Sequence, residues 1–113
     1  MRIVDKATIA ELMQMSAKMY DPMVKGVVDV KLRLLAMDAG LHSDEELLLL
    51  EHGSRQEDLW GINLWPEQYG SESFIEFDSM INIRPAQNNR SRGVEDPCIR
   101  ELIRAIVDEI IAR

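Results

Sequence analysis

Residues 96–111 read DPCIRELIRAIVDEII, and Ile99, Leu102, Ile103, Ile106, Val107, Ile110 and Ile111 fall on one stripe at helical period. Asp96 is placed to cap this helix, and Pro97 takes its first position, where a missing N–H costs nothing. A helix of this length is marginal in water by itself, so its stripe has to be buried against another surface. The rest of the chain must therefore supply an apolar face of matching size.

Two segments have the period of strands. DLWGINLW (58–65) and FIEFDSMINIRP (74–85) alternate apolar and polar residues, each meets a proline, and the turn-rich PEQYGSES joins them, so they are expected to pair antiparallel. Upstream, VKGVVDVKLRLLAMD (24–38) reads as a hairpin broken near Lys31-Leu32-Arg33, and Arg2-Ile3-Val4 as a short strand. A second helix opens at Thr8, with Glu11 at the capping-box spacing, and cannot pass Pro22. A third, short one is expected from a Ser43/Glu46 capping box to Gly53, although its four consecutive leucines also suit a buried strand. The order predicts an α+β two-layer sandwich: a mostly antiparallel sheet of about five strands, two amphipathic helices on one face, and a third short helix.

With 113 residues the chain forms one domain, 1–113. No apolar run approaches the length of a membrane span, and Asp5 and Lys6 interrupt the start where a signal peptide would be apolar, so a cytoplasmic protein with no membrane partner is expected. The lone Cys98 cannot form an internal disulfide. The charge of −7 is uneven: residues 38–78 carry eleven acids against Arg55 alone, leaving the remainder net positive. Overall acidity argues against nonspecific binding to duplex DNA.

The two strand candidates share a pattern, INLWP (62–66) and INIRP (81–85). Alternation places Ile62, Leu64, Ile81 and Ile83 toward the helices, and Asn63, Trp65, Glu76, Asp78, Asn82 and Arg84 on the opposite, polar face. After Arg84 the chain runs PAQNNRSRG, with Asn88, Asn89, Arg90 and Arg92 and no acid, toward the N-terminus of the last helix. Guanidinium groups, amides and unpaired helix N–H groups are the donors an anion needs. The expected ligand-binding set is thus Asn63, Trp65, Asp78, Asn82, Arg84, Asn88, Asn89, Arg90 and Arg92. A simpler account has the same groups bonded to local backbone and neighbouring acids.

No phosphate-binding glycine loop, dinucleotide fingerprint, nucleophile elbow or zinc-protease motif is present, so no cofactor is expected. His42 and His52 lie ten residues apart among acids, too loosely spaced to specify a metal site, and His42 reads as a loop residue. Glu76 and Asp78 share a strand face and could serve acid–base chemistry.

The segments VVD (27–29), LHSDEELLL (41–49), GSRQEDLWGINLWP (53–66) and FDSMINIRPAQNNRSRGVEDPCI (77–99), with the apolar last helix, resemble a family of short prokaryotic proteins of unknown function. The resemblance implies a self-contained intracellular domain and carries no activity. The residues favour a binding module for an anionic small molecule, a short RNA segment or a partner protein. The alternative is a small enzyme acting on an anionic substrate, with Asp78 or Glu76 as base and Arg84 as clamp. Assembly into a homodimer through a sheet edge is a third possibility.

Overall fold

The computed structural model describes all 113 residues. Strand β1 (Arg2–Val4) is followed by the two-residue β2 (Ala7–Thr8), helix α1 (Ile9–Ser16), the hairpin β3 (Val24–Asp29) and β4 (Leu34–Met37), and helix α2 (His42–Glu51). Strand β5 (Leu59–Leu64), the short β6 (Ile75–Glu76), helix α3 (Pro97–Ile110) and β7 (Ile111–Ala112) complete the chain. The main sheet has the order β1-β4-β3-β5-β6 and is antiparallel throughout, while β2 and β7 form a separate parallel pair. The fold is α+β, with three helices and a five-stranded antiparallel sheet. No helix is long and apolar enough to cross a membrane.

Local chemistry sets several boundaries. The Thr8 hydroxyl accepts the Glu11 N–H at 3.2 Å and the Glu11 carboxylate accepts the Thr8 N–H at 3.1 Å, completing the capping box of α1. In the β3–β4 turn, the buried Asp29 accepts the N–H groups of Lys31 and Leu32 at 2.8 Å each and the Ser54 hydroxyl at 2.6 Å. Arg33 there takes the left-handed conformation, φ 59°. The Asp96 side chain accepts the Cys98 N–H, with Pro97 in the first turn of α3.

One sheet face carries Val24, Val28, Leu35, Met37, Ile62 and Leu64 into a core closed by Leu12 and Met15 of α1 and Ile103, Ile106 and Val107 of α3. Each of these three α3 side chains is wholly buried, contributing roughly 1.5–3 kcal/mol apiece. On the other face Val27, Ala36 and Leu59 pack with Leu49 of α2, and Leu48 and Ile81 close the edge of that cluster. The face away from α1 and α3 is therefore apolar under α2 and polar where Lys25 of β3, Asn63 of β5 and Glu76 of β6 lie side by side.

Two local expectations are corrected. Helix α2 begins at His42, one residue before Ser43, and its cap residue Leu41 offers no side-chain hydrogen bond, so the Ser43/Glu46 capping box does not form. Burial of the His42 ring against the sheet accounts for the shift. The second strand candidate ends at Glu76: the Ser79 hydroxyl accepts the Ile81 N–H and starts a 3₁₀ turn over Met80–Asn82. Gly61 permits this, because a Cβ there would stand 2.5 Å from Ser79 Cβ. The expected alternation stops with the strand, leaving Ile83 partly exposed and turning Asn82 inward.

Candidate functional site

The two asparagines of the repeated pentapeptide fasten β5 to the segment that follows β6. Asn82 is wholly buried; its Oδ1 accepts the Gly61 N–H at 2.8 Å and its Nδ2 donates to Gly61 O at 3.0 Å and to Arg92 O at 2.9 Å. One carboxamide thus takes the place of a ladder peptide where the strand has ended. Beyond it, the Arg84 guanidinium donates to Gln56 O and, at 2.7 Å, to Leu59 O, and lies 4.2 Å from the centre of the Trp60 ring. Burial lowers its pKa, against the pull of Glu46 and Asp58.

Asn89 extends the same framework, donating to Asn82 O at 2.7 Å and Gly93 O at 2.8 Å and accepting the Glu95 N–H at 2.9 Å. Asn88 is exposed in the left-handed conformation, φ 60°. Arg90 is exposed too; its backbone N–H and that of Ser91 bond to Glu95, which holds that carboxyl below its ordinary range. The structure therefore divides the residues singled out by sequence. Asn82, Arg84 and Asn89 are bonded to backbone, and Asn88 and Arg90 face solvent, while Asn63, Trp65, Asp78 and Arg92 meet at one cleft.

That cleft has a volume of about 530 Å³. Its floor is a row across three strands, because Lys25 of β3 pairs with Asn63 of β5 and Asn63 pairs with Glu76 of β6. Asn63 is 4% exposed, and its Nδ2 donates to Glu76 Oε1 at 2.8 Å and to Asp78 O at 3.3 Å. Both neighbours are acceptors, which fixes the amide orientation and leaves the buried Oδ1 without a donor. Glu76 Oε1 also accepts the Trp65 indole N–H at 3.3 Å, so the half-buried ring stands as a fixed wall.

The first turn of α2 forms the opposite side, with Leu41, His42 and Ser43. His42 Nε2 lies 2.8 Å from Ile62 O; a carbonyl only accepts, so that nitrogen carries the proton. Burial lowers the His42 pKa and the Lys25 charge lowers it further, while the bond to Ile62, the adjacent Asn63 carboxamide and Asp78 act the other way. Arg92 Nε is 2.7 Å from Asp78 Oδ1, an ion pair at the rim. Lys25 has no ion pair or hydrogen bond to its ammonium, and the uncapped first-turn N–H groups of α2 lie at the same cleft.

Lys25, His42 and Ser43 were not among the residues expected from sequence. Lys25 was legible as one charged residue in the apolar run VKGVV, but its pairing with Asn63 needs a strand register across nearly forty residues. Deeper in α2, Glu45 is wholly buried; it accepts the Ala39 N–H at 3.1 Å, and desolvation pushes its carboxyl up to about 9. His42 and His52 stand at opposite ends of α2, and no three His, Cys, Asp or Glu side chains gather as a metal site would require.

No curated protein and no solved structure shows a detectable match to the chain. A family model does match, over residues 1–110, described as a protein of unknown function (DUF5674), and it contains both the Lys25–Asn63–Glu76 row and the framework built on Asn82. By that coverage, the chain is a member of the DUF5674 family.

Proposed function

We propose that the protein is a non-enzymatic binding module that holds a small anionic ligand in the cleft between α2 and the β3-β5-β6 row. The observation that carries this reading is the meeting of an unpaired ammonium, Lys25, with an uncapped helix N-terminus at one concave surface. Trp65, Met23 and Met80 give an organic portion of the ligand an apolar wall. The arginine loop serves as scaffold in this account, since Arg84 is bonded to carbonyls and Arg92 to Asp78. The same commitment, with the chain's net charge of −7, disfavours a short RNA segment. A cytoplasmic setting suits a small anionic ligand and a free, exposed Cys98.

The enzyme alternative lacks its clamp, because Arg84 is outside the cleft that holds Glu76 and Asp78. Edge-to-edge pairing into a homodimer has little ladder to work with, since β1 is three residues long and β6 two. An amide NMR titration against phosphate, acetate and a short mixed-sequence RNA tests the proposal. Saturable shifts are expected at Lys25, His42–Asp44, Asn63 and Trp65, and Lys25→Met should abolish them while leaving the thermal midpoint within a few degrees. Shifts confined to residues 84–93, or none that saturate, would overturn it.

A further inference from the structure

We propose that the anionic group is a phosphate monoester and that His42 takes up a proton as it binds. This rests on the cleft being the ligand site. Three kinds of unpaired donor meet there: the Lys25 ammonium, the Ser43 hydroxyl and the first-turn N–H groups of α2. They match the three terminal oxygens of a monoester, whereas a carboxylate has only two.

Charge supplies the second half of the argument. The groups facing His42 are Lys25 on β3, Asn63 on β5, Glu76 on β6, and Asp78 with its partner Arg92, while Asp21 sits at the rim. On its own helix, Ser43 is exposed, the exposed Asp44 places an acid in the first turn, and Glu45 is buried and neutral at pH 7. Arg92 is paired with Asp78, so Lys25 is the one free cation lining the cleft, set against the carboxylates of Glu76, which is held by Asn63 and Trp65, and of Asp21, and a bound dianion leaves the cleft short of positive charge. Protonated His42 supplies a second free positive charge beside Lys25.

The ring is built to accept that proton. Its Nε2–H is already spent on Ile62 O. The Asn63 carboxamide beside it favours the charged ring, and both of that amide's hydrogens are taken by Glu76 and Asp78 O. Only the donorless Asn63 Oδ1 remains, an acceptor for a second ring N–H. In the empty cleft burial and Lys25 favour the neutral ring. An anion near Lys25 removes one of those two opposing effects, so proton and anion bind together.

The chain has two histidines, and the exposed His52 is an internal control. Ring shifts of both are followed by NMR from pH 5 to 8.5 with no ligand, with saturating inorganic phosphate, and with acetate. Phosphate is expected to raise the His42 midpoint by about one pH unit, to leave His52 unmoved, and, counted per dianion so that the ligand's own second ionisation is taken out, to bind about tenfold more tightly below that midpoint than above it. His42→Gln, which keeps a donor for Ile62 O, should leave only the pH dependence of the phosphate's own second ionisation and retain weaker binding. Phosphate binding with a stationary His42 midpoint, or acetate moving it equally, overturns this inference and leaves the binding module standing. Failure of every anion to saturate overturns both.

Discussion

Replacing Asn82 by alanine tests whether one carboxamide stands in for a strand. The substitution removes the partner of the Gly61 N–H, at 2.8 Å, and one partner each of Gly61 O and Arg92 O, at 3.0 and 2.9 Å. No water reaches the wholly buried side chain, and alanine cannot replace its bonds. A stranded buried group costs about 1–3 kcal/mol, and the two carbonyls can recover part of theirs, giving a loss of roughly 3–5 kcal/mol. At about 4 °C per kcal/mol for a chain of this size, the thermal midpoint should fall by about 12–20 °C. Urea unfolding followed by tryptophan fluorescence measures the loss. Gln87→Ala is the control, because that side chain also donates to a carbonyl, Glu57 O at 3.0 Å, but in the open, and should cost under about 1 kcal/mol. If the two variants lose the same amount, or Asn82→Ala stays within about 1 kcal/mol of the parent, the carboxamide is not acting as a ladder element.

Arg84→Ala should lower stability by about 2 kcal/mol through its carbonyl bonds and its contact with Trp60, while leaving phosphate affinity unchanged; lost binding at intact stability would place Arg84 in the ligand site. Glu45 has a folded pKa near 9 against an ordinary 4.5, so the fold holds a proton that the unfolded chain releases. Its contribution is most favourable below about pH 4.5 and is lost as pH rises toward 9. Glu45→Gln should therefore stabilise the protein by on the order of 3 kcal/mol at pH 7 and by almost nothing near pH 4.5. Thermal midpoints across that range check the sign, and a constant difference refutes it. Gly61→Ala brings a methyl within 2.5 Å of Ser79 Cβ and should cost about 1–3 kcal/mol. Adding Ser79→Gly should recover part of that cost, and strictly additive losses would show that the two residues do not clash.

Where the controlling interaction spans a few residues, the sequence was enough. The Thr8–Glu11 box, the Asp96-Pro97 start of α3 and its apolar stripe from Ile99 to Ile110 are local, and each is found in place, whereas Ile111, expected to extend the stripe, is extended and opens β7, still buried in the same core. The same holds for the β3–β4 hairpin and for the α+β class, since helical and strand periods are written in neighbouring residues. Even the two asparagines stood out as residues out of place in strands.

Their roles could not be read the same way. Alternation assumes that a strand continues, and the second strand ends at Glu76 because Ser79 caps a turn and Gly61 lets that turn approach β5. From there Asn82 faces inward to a peptide 21 positions away, and Arg84 reaches a carbonyl 25 positions away. His42 looked like a loop residue because its partner, Ile62 O, lies 20 residues further on. Thus neighbouring residues were enough to mark α1, α3, the β3–β4 hairpin and β5 and what they must bury. Which polar groups are consumed in holding β5 and which are left facing a cleft follows from the folded arrangement, because a hydrogen bond depends on which groups lie within about 3 Å of each other, and local pattern does not contain that distance.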